Sequence, residues 1–194
     1  MRSLECNVAQ PEELQHLAKR LGTGDFVADI LIHSAGYYRA GSVEAASVEE
    51  LDRHYVVNVR APFLITQALL PRLRERHGQI VFVNSSVCRQ AGKARLSAYS
   101  ASKCALEAIA NCLRAEVNAD RIRVLSIFPG RTATEMQRKI QEADGTAYHP
   151  EHLLQPQDIA NLILHALSLP RTAEITDVSI RPFRPSAAPC PKSQ

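Results

Sequence analysis

A tyrosine and a lysine four residues apart, Tyr99 and Lys103, are the side chains of this sequence with the clearest potential for chemistry. They fall in a helical pattern, so this spacing places both side chains on one helix face. A free tyrosine has a pKa of about 10, but a neighbouring ammonium group favours the phenolate and lowers that pKa. A phenol tuned in this way exchanges a proton with an alcohol or carbonyl oxygen. Taken alone the pair is a weak signal, because most such pairs lie on a helix surface.

A serine that precedes this pair, Ser86, strengthens the interpretation. It follows the apolar pattern of residues 79–84, which is typical of a buried strand. A hydroxyl at the end of such a strand can hydrogen-bond a substrate oxygen and stabilise charge that develops on it. The alternative is a serine that caps the strand end or a turn.

Apolar strand patterns alternate with amphipathic helix patterns along the whole chain. This alternation predicts an α/β fold with a Rossmann-like, doubly wound parallel sheet, whose ligands bind at the carboxyl ends of the strands. We expect one domain over residues 1–182 and a flexible, proline-rich tail over 183–194. The predicted strands cover residues 1–7, 28–33, 79–84, 122–128 and 175–181, and the predicted helices cover 11–21, 47–76, 97–118 and 157–169.

Composition excludes several other classes of protein. The net charge is only +3, and the basic run Arg72, Arg74, Arg76 is best explained as a solvated helix end, so nucleic-acid binding is not expected. No apolar stretch approaches the ~18 residues of a membrane helix, and the first ten residues lack the pattern of a signal peptide. The five cysteines form no metal-ligand spacing, so we expect reduced thiols in a cytoplasmic protein without a metal site.

The segment from Ser85-Ser86 to Tyr99-Ser-Ala-Ser-Lys103 resembles the active-site segment of the short-chain dehydrogenase/reductase family, including its serine-to-tyrosine separation. The resemblance implies that Tyr99 is the proton donor or acceptor. It also implies that Lys103 binds the nicotinamide ribose and lowers the pKa of Tyr99, and that Ser86 holds the substrate oxygen. Asn58, in Val-Val-Asn-Val, is similar to the family's helix asparagine, which supports a proton relay through water and the lysine.

The resemblance also implies a set of cofactor contacts beyond Tyr99 and Lys103. His33-Ser34-Ala35-Gly36 corresponds to the family's Asn-Asn-Ala-Gly segment with both asparagines replaced. Pro129-Gly130 resembles the turn that packs at the nicotinamide, and Asn7 sits where the family has an acidic residue near the adenine. The expected cofactor-binding positions are therefore Asn7, Ser34, Ala35, Gly36, Tyr99, Lys103, Pro129, Gly130, Thr134 and, as a substitute for the last, Thr132.

The family's glycine-rich phosphate turn has no counterpart in this sequence, and the expected fold lacks the first βαβ unit. We expect an N-terminally truncated family member with weak cofactor binding and an exposed apolar edge at residues 28–33. The expected function is NAD(P)-dependent hydride transfer to or from a small carbonyl or alcohol compound, with NADP slightly favoured over NAD. A homo-oligomer, dimer or tetramer, is expected. The alternative is a non-catalytic remnant that acts only as an association partner.

Overall fold

Four parallel strands form one sheet in the order β1-β2-β3-β4, which matches the predicted α/β fold. The computed structural model describes residues 3–24, 26–90 and 92–183, so the predicted tail beyond residue 183 lies outside the described residues. The strands are β1 (Ile30–His33), β2 (Gln79–Val83), β3 (Arg123–Pro129) and β4 (Asp177–Ile180). The helices are α1 (Pro11–Thr23), α2 (Val48–Tyr55), α3 (Ala61–Glu75), α4 (Ser97–Val117), α5 (Glu135–Ala143) and α6 (Pro156–Ser168).

Helices cover both faces of the central strands β2 and β3, so most residues of these strands are apolar. Alternate residues of β2 point to opposite faces, because side chains alternate along a strand. Ile80 and Phe82 join the core that α3 and α4 complete, whereas Val81 joins the core that α6 completes. The helices that connect the strands therefore lie on the two faces of the sheet. Because all strands are parallel, their carboxyl ends lie at one edge of the sheet.

Strand β1 is the edge of the sheet, and one of its faces is uncovered. Leu31 packs into the core beneath α3 and α4. Its neighbours Ile30 and Ile32 point to the other face, where they remain 48% and 45% exposed. The predicted exposed apolar edge is confirmed, since β1 pairs with a strand on one side only. The exposure of Ile30 and Ile32 shows that one face of β1 is uncovered as well.

The strand predicted over residues 1–7 is wrong for the part that is described, because residues 3–7 form no strand. The segment instead turns into α1: the Gln10 amide donates to the Asn7 carbonyl at 2.9 Å. The Asn7 amide donates to a Glu13 carboxylate oxygen at 2.8 Å. A lone extended segment needs a neighbouring strand for its backbone hydrogen bonds, and local turn and side-chain partners satisfy these groups here.

The long helix predicted over residues 47–76 is divided into α2 and α3 by one π-helical turn, Val56–Arg60. Ser47 caps α2, since its hydroxyl accepts the Glu50 amide at 3.3 Å. Pro62 lies in the first turn of α3, directly after the π-helical turn, where the hydrogen-bond pattern of the continuous helix changes. The break therefore precedes Pro62 and coincides with the buried Asn58. Single π-helical turns are frequent at functional sites.

The basic run at the end of α3 is used in contacts within the chain. Arg72 donates to backbone carbonyls of residues 22 and 24, while Arg74 pairs with Asp120 at 2.7 Å. Arg76 pairs with Asp29 at 3.0 Å. These partners agree with the predicted helix end and leave no continuous cationic patch at this position.

Candidate active site

Tyr99 lies near the start of α4 in a largely buried, aromatic setting. Its ring meets Tyr38 edge to face, with centroids 5.0 Å apart, and His54 lies behind at 6.3 Å. Burial raises the pKa of Tyr99 above its ordinary value, and the nearby Ser85 opposes this rise. In the chain without cofactor, Ser85 rather than Lys103 is the group that opposes the rise in this pKa, so a role of Lys103 in lowering it stays a prediction.

Lys103 lies one turn further along α4 and is 4% exposed. Its Nζ donates to the Val83 carbonyl at the end of β2 at 3.1 Å. Burial lowers the pKa of Lys103 to about 8. The ammonium is therefore held at the carboxyl end of the sheet, in an environment that has few compensating charges.

Asn58 occupies the π-helical turn and is 1% exposed. Its Oδ1 accepts the Tyr37 amide at 2.8 Å, and its Nδ2 donates to the Tyr37 carbonyl at 2.9 Å. Nδ2 also donates to the Ser102 hydroxyl at 3.0 Å, and Ser102 donates to the Tyr99 carbonyl at 2.8 Å. Asn58 thus joins the loop after β1 to the turn of α4 that carries Tyr99.

Two residues in this network, Tyr37 and Ser102, were not singled out from the sequence. Ser102 lies three residues after Tyr99, on a buried helix face, and a buried hydroxyl at that spacing is the signal that identifies it. Tyr37 bonds to the Asn58 side chain through its backbone amide and carbonyl, so the identity of its side chain could not have predicted this contact.

Two adjacent serines follow β2, and they have different partners. Ser85 lies close to Tyr99 and lowers the pKa of its phenol, and the Ser85 hydroxyl accepts the Val87 amide at 3.3 Å. Ser86 begins the 3₁₀ turn Ser86–Arg89 and accepts from Gln90 Nε2 at 3.4 Å. Both serines therefore follow the carboxyl end of β2, and Ser85, which was not singled out from the sequence, is the one that influences Tyr99.

The loop after β1 brings Gly36 next to both Asn58 and Lys103. A Cβ added at Gly36 would lie 3.7 Å from Asn58 Oδ1 and 3.8 Å from Lys103 Nζ. His33, at the end of β1, stacks on Phe82 at 4.9 Å and is hydrogen-bonded to a buried threonine hydroxyl. Burial lowers the pKa of His33 to about 4, so it is a neutral core residue. Ser34 and Ala35 connect His33 to Gly36.

The Pro129-Gly130 turn closes the carboxyl end of β3 against the end of β4. The Gly130 amide donates to the Ile180 carbonyl at 2.7 Å. A Cβ at Gly130 would approach Pro182 to 3.1 Å, so the close approach of two backbones favours glycine here. Thr132 donates to the Gly130 carbonyl at 3.1 Å.

Two of the residues expected to bind the cofactor, Asn7 and Thr134, bond through their side chains to nearby backbone amides. Thr134 caps α5, since its hydroxyl accepts the Gln137 amide at 3.2 Å. Asn7 is exposed, and its Oδ1 accepts the Ala9 amide at 3.1 Å. Neither side chain has a contact with Tyr99 or Lys103 among the hydrogen bonds of the described residues.

The residues present fit one end of a nicotinamide cofactor. The side of the site formed by Lys103, Gly36 and Gly130 fits the ribose and nicotinamide end, because a buried ammonium and a side-chain-free surface lie together. The amide nitrogen of Asn84, buried at the carboxyl end of β2, has no partner in the described part of the chain. For the phosphate end, the described residues contain no glycine-rich turn after a strand, since Gly22 and Gly24 lie at the end of α1.

Three side chains that the sequence analysis did not assign, His149, Glu151 and His152, lie close together on an exposed turn. Glu151 Oε1 lies 3.2 Å from His149 Nδ1 and 3.9 Å from His152 Nε2. Their donor atoms are near enough for one metal ion, but the two imidazoles already face the same carboxylate oxygen.

Within the described ranges, no helix combines the length and the apolar composition that crossing a bilayer requires. All four cysteines of these ranges, Cys6, Cys88, Cys104 and Cys112, are free thiols, as expected, while Cys190 lies outside the described residues.

The fold is a parallel α/β sheet with a tyrosine–lysine pair on one covering helix, and comparison with known proteins identifies the family. The short chain dehydrogenase family matches residues 1–145. The chain therefore belongs to the short-chain dehydrogenase/reductase family.

Relatives of known sequence agree with this assignment. An uncharacterised oxidoreductase of Staphylococcus aureus is 30% identical over 185 residues, which cover 94% of this chain and 76% of the relative. An uncharacterised short-chain type dehydrogenase/reductase of Sinorhizobium fredii is 29% identical over 158 residues. That match covers 79% of this chain and 64% of the relative, so the chain spans less than two thirds of that protein.

Solved structures show the same fold at low sequence identity. The alcohol dehydrogenase of the archaeon Thermococcus sibiricus, complexed with 5-hydroxy-NADP, gives a TM-score of 0.78 at 21% identity. The match covers 94% of this chain and 75% of that one. A 7α-hydroxysteroid dehydrogenase complexed with NADH and 7-oxoglycochenodeoxycholic acid gives 0.77 at 22% identity, covering 91% and 71%.

Proposed function

We propose that the chain provides the catalytic part of an NAD(P)-dependent oxidoreductase that interconverts a small carbonyl compound and its alcohol. The observation that carries this proposal is the convergence of Tyr99, Lys103 and Asn58 at the carboxyl end of β2. Sites at this edge are typical of doubly wound sheets. Membership of the family supports the reaction class, and the cofactor and the role of each residue are proposals.

Tyr99 holds and transfers the proton in this mechanism. Because burial raises its pKa, Tyr99 is a neutral phenol near neutral pH and is ready to donate Oη–H to a carbonyl oxygen. The hydroxyls of Ser85 and Ser86 lie at the same strand end and would hold that oxygen. A bound nicotinamide cofactor supplies the hydride. At neutral pH Tyr99 is therefore in the protonation state that carbonyl reduction requires.

Lys103 and Asn58 position the reacting groups. The Lys103 ammonium would exchange its contact with the Val83 carbonyl for the ribose hydroxyls of the cofactor. Asn58 fixes both Tyr37 and Ser102, and Ser102 fixes the first turn of α4. Ser34, Ala35, Gly36, Pro129, Gly130 and Thr132 would form the remaining wall of the nicotinamide side, and Asn7 and Thr134 are the outlying proposed contacts.

In this proposal NADP is slightly favoured over NAD. The protein is also proposed to associate with itself as a dimer or tetramer. The cofactors named for the structurally similar proteins, 5-hydroxy-NADP and NADH, support a nicotinamide cofactor without choosing between the two forms. The alternative of a non-catalytic association partner is supported by the exposed face of β1, but the family comparisons favour the oxidoreductase.

The test is the Tyr99→Phe variant, assayed by NADPH consumption with small aldehydes and ketones. Removal of the proton donor is expected to lower turnover by about 10²- to 10⁴-fold, the range typical of a general acid. The matched control is Tyr55→Phe, which removes a hydroxyl from a partly exposed tyrosine of α2. Unchanged turnover in Tyr99→Phe, or equal losses in both variants, would contradict the assignment.

A further inference from the structure

Two thiols face each other at the rim of the candidate active site. Cys88 lies in the 3₁₀ turn after β2, and Cys104 follows Lys103 directly on α4. The 3₁₀ turn packs against α4, and Cys104 is one of the groups that raise the pKa of Cys88, so the two thiols are neighbours. Cys88 is half-buried and donates to Asn84 Oδ1 at 3.4 Å, whereas Cys104 is exposed.

Neighbouring contacts hold this turn against α4 independently of the thiols. Arg89, next to Cys88, pairs with Glu107 at 2.9 Å, and Glu107 lies three residues beyond Cys104 on the same helix face. Arg89 also pairs with Asp177 at 3.2 Å and lies over the Phe128 ring at 4.0 Å. These anchors hold the turn that carries Cys88 against the helix that carries Cys104, and a disulfide between two separate elements requires such a close approach.

We propose that Cys88 and Cys104 are a redox-modification site, a dithiol that a peroxide converts reversibly to a disulfide. The Cys104 thiolate attacks one peroxide oxygen, the O–O bond breaks, and a sulfenic acid and water form. Cys88 then attacks the Cys104 sulfur, the S–S bond forms, and the S–O bond breaks with release of a second water. Two thiols lose two electrons in total, and one peroxide is reduced to two waters.

The surroundings of the two sulfurs set this order of events. Burial raises the pKa of Cys88 to about 12, so its thiol is protonated near neutral pH and reacts slowly with peroxide. Cys104 is open to solvent and meets the oxidant first. Cys88 is held within reach to resolve the sulfenic acid, so a protein reductant with its own dithiol can reverse the modification.

The expected consequence for turnover rests on the proposed function. The new bond would fix the turn that carries Ser86 to the residue beside Lys103. It would also displace the Cys88 thiol from Asn84. Oxidation is therefore expected to abolish carbonyl reduction, and dithiothreitol is expected to restore it.

The test maps the thiols of the purified chain after treatment with hydrogen peroxide. Free thiols are alkylated, and trypsin then releases residues 77–89, which contain Cys88, and 104–114, which contain Cys104 and Cys112. The expected product is these two peptides joined by one bond within a monomer. Cys104→Ser should abolish the joined product, while Cys112→Ser, a matched change of an exposed cysteine on the same helix, should retain it.

Alkylation of both thiols after peroxide treatment would overturn the proposal, as would a bond through Cys112 or a bond between two chains. A chain that carries the Cys88–Cys104 bond and keeps full turnover would overturn the inference that oxidation abolishes carbonyl reduction. The mapping requires no catalysis, so a chain that forms the bond but reduces no carbonyl would count against the proposed function and leave the modification site standing.

Discussion

Replacing Lys103 by Met is expected to stabilise the folded chain at neutral pH, although it removes a residue of the candidate site. The ammonium is 4% exposed, and its only hydrogen-bond partner among the described residues is the Val83 carbonyl. Burial lowers its pKa from 10.5 to about 8. A difference of about 2.5 between the two pKa values corresponds to about 3 kcal/mol of stability. Methionine fills a similar volume without the charge.

The sign follows from the protons bound in each state. Below pH 8, Lys103 is protonated in both the folded and the unfolded chain, and the full cost of the buried charge is present. Between pH 8 and 10.5 the folded state releases the proton while the unfolded state keeps it, so the stability of the wild type rises with pH. The advantage of Lys103→Met should therefore be about 3 kcal/mol at pH 7 and shrink towards zero near pH 10.5.

Urea unfolding followed by circular dichroism at pH 7, 8, 9 and 10 measures this difference. Other titrating groups affect both proteins equally, so the difference between variant and wild type isolates Lys103. Lys93→Met, which changes an exposed lysine, is the matched control and should leave the pH profile unchanged. A constant difference between Lys103→Met and wild type across this range, or one that grows with pH, would refute the reasoning.

Gly36→Ala should weaken NADPH binding, measured by fluorescence titration, with little change in the urea midpoint, because the new methyl group lies at ordinary contact distance from Asn58 and Lys103. Gly92→Ala, where no neighbouring atom lies within 4 Å, is its control, and equal binding by both variants would contradict the placement of the cofactor. Asn58→Ala should lower the free energy of unfolding by roughly 2–4 kcal/mol, since it leaves buried groups of Tyr37 and Ser102 unpaired. A loss below about 0.5 kcal/mol in urea titration would contradict that account.

Much of the architecture follows from the sequence because apolar periodicity depends on local residue order. The strands around residues 79–84 and 122–128 were predicted within one or two residues, since both faces of each are buried and the pattern is unambiguous. The segment over residues 1–7 failed because a strand also needs a partner, and partnership is a property of the whole fold.

The candidate site shows the same division between local and long-range information. Spacing on one helix brought Tyr99 and Lys103 together correctly, because i and i+4 positions share a face. Sequence spacing did not show that Ser85 influences the pKa of Tyr99, since this depends on the backbone of the turn after β2. Nor did it reveal the direction of the Tyr99 pKa, which depends on burial by aromatic residues distant in sequence.

Transfer of deuterium from NADPH labelled at nicotinamide carbon 4 is the most direct test of the central claim, that this chain reduces carbonyl compounds with Tyr99 as the proton donor. The labelled cofactor, the purified chain and an aldehyde or ketone are incubated, and the alcohol is analysed by mass spectrometry. We expect deuterium on the carbinol carbon with the wild type and almost none with Tyr99→Phe. Alcohol without deuterium, no alcohol at all, or equal labelling by both proteins would contradict the claim.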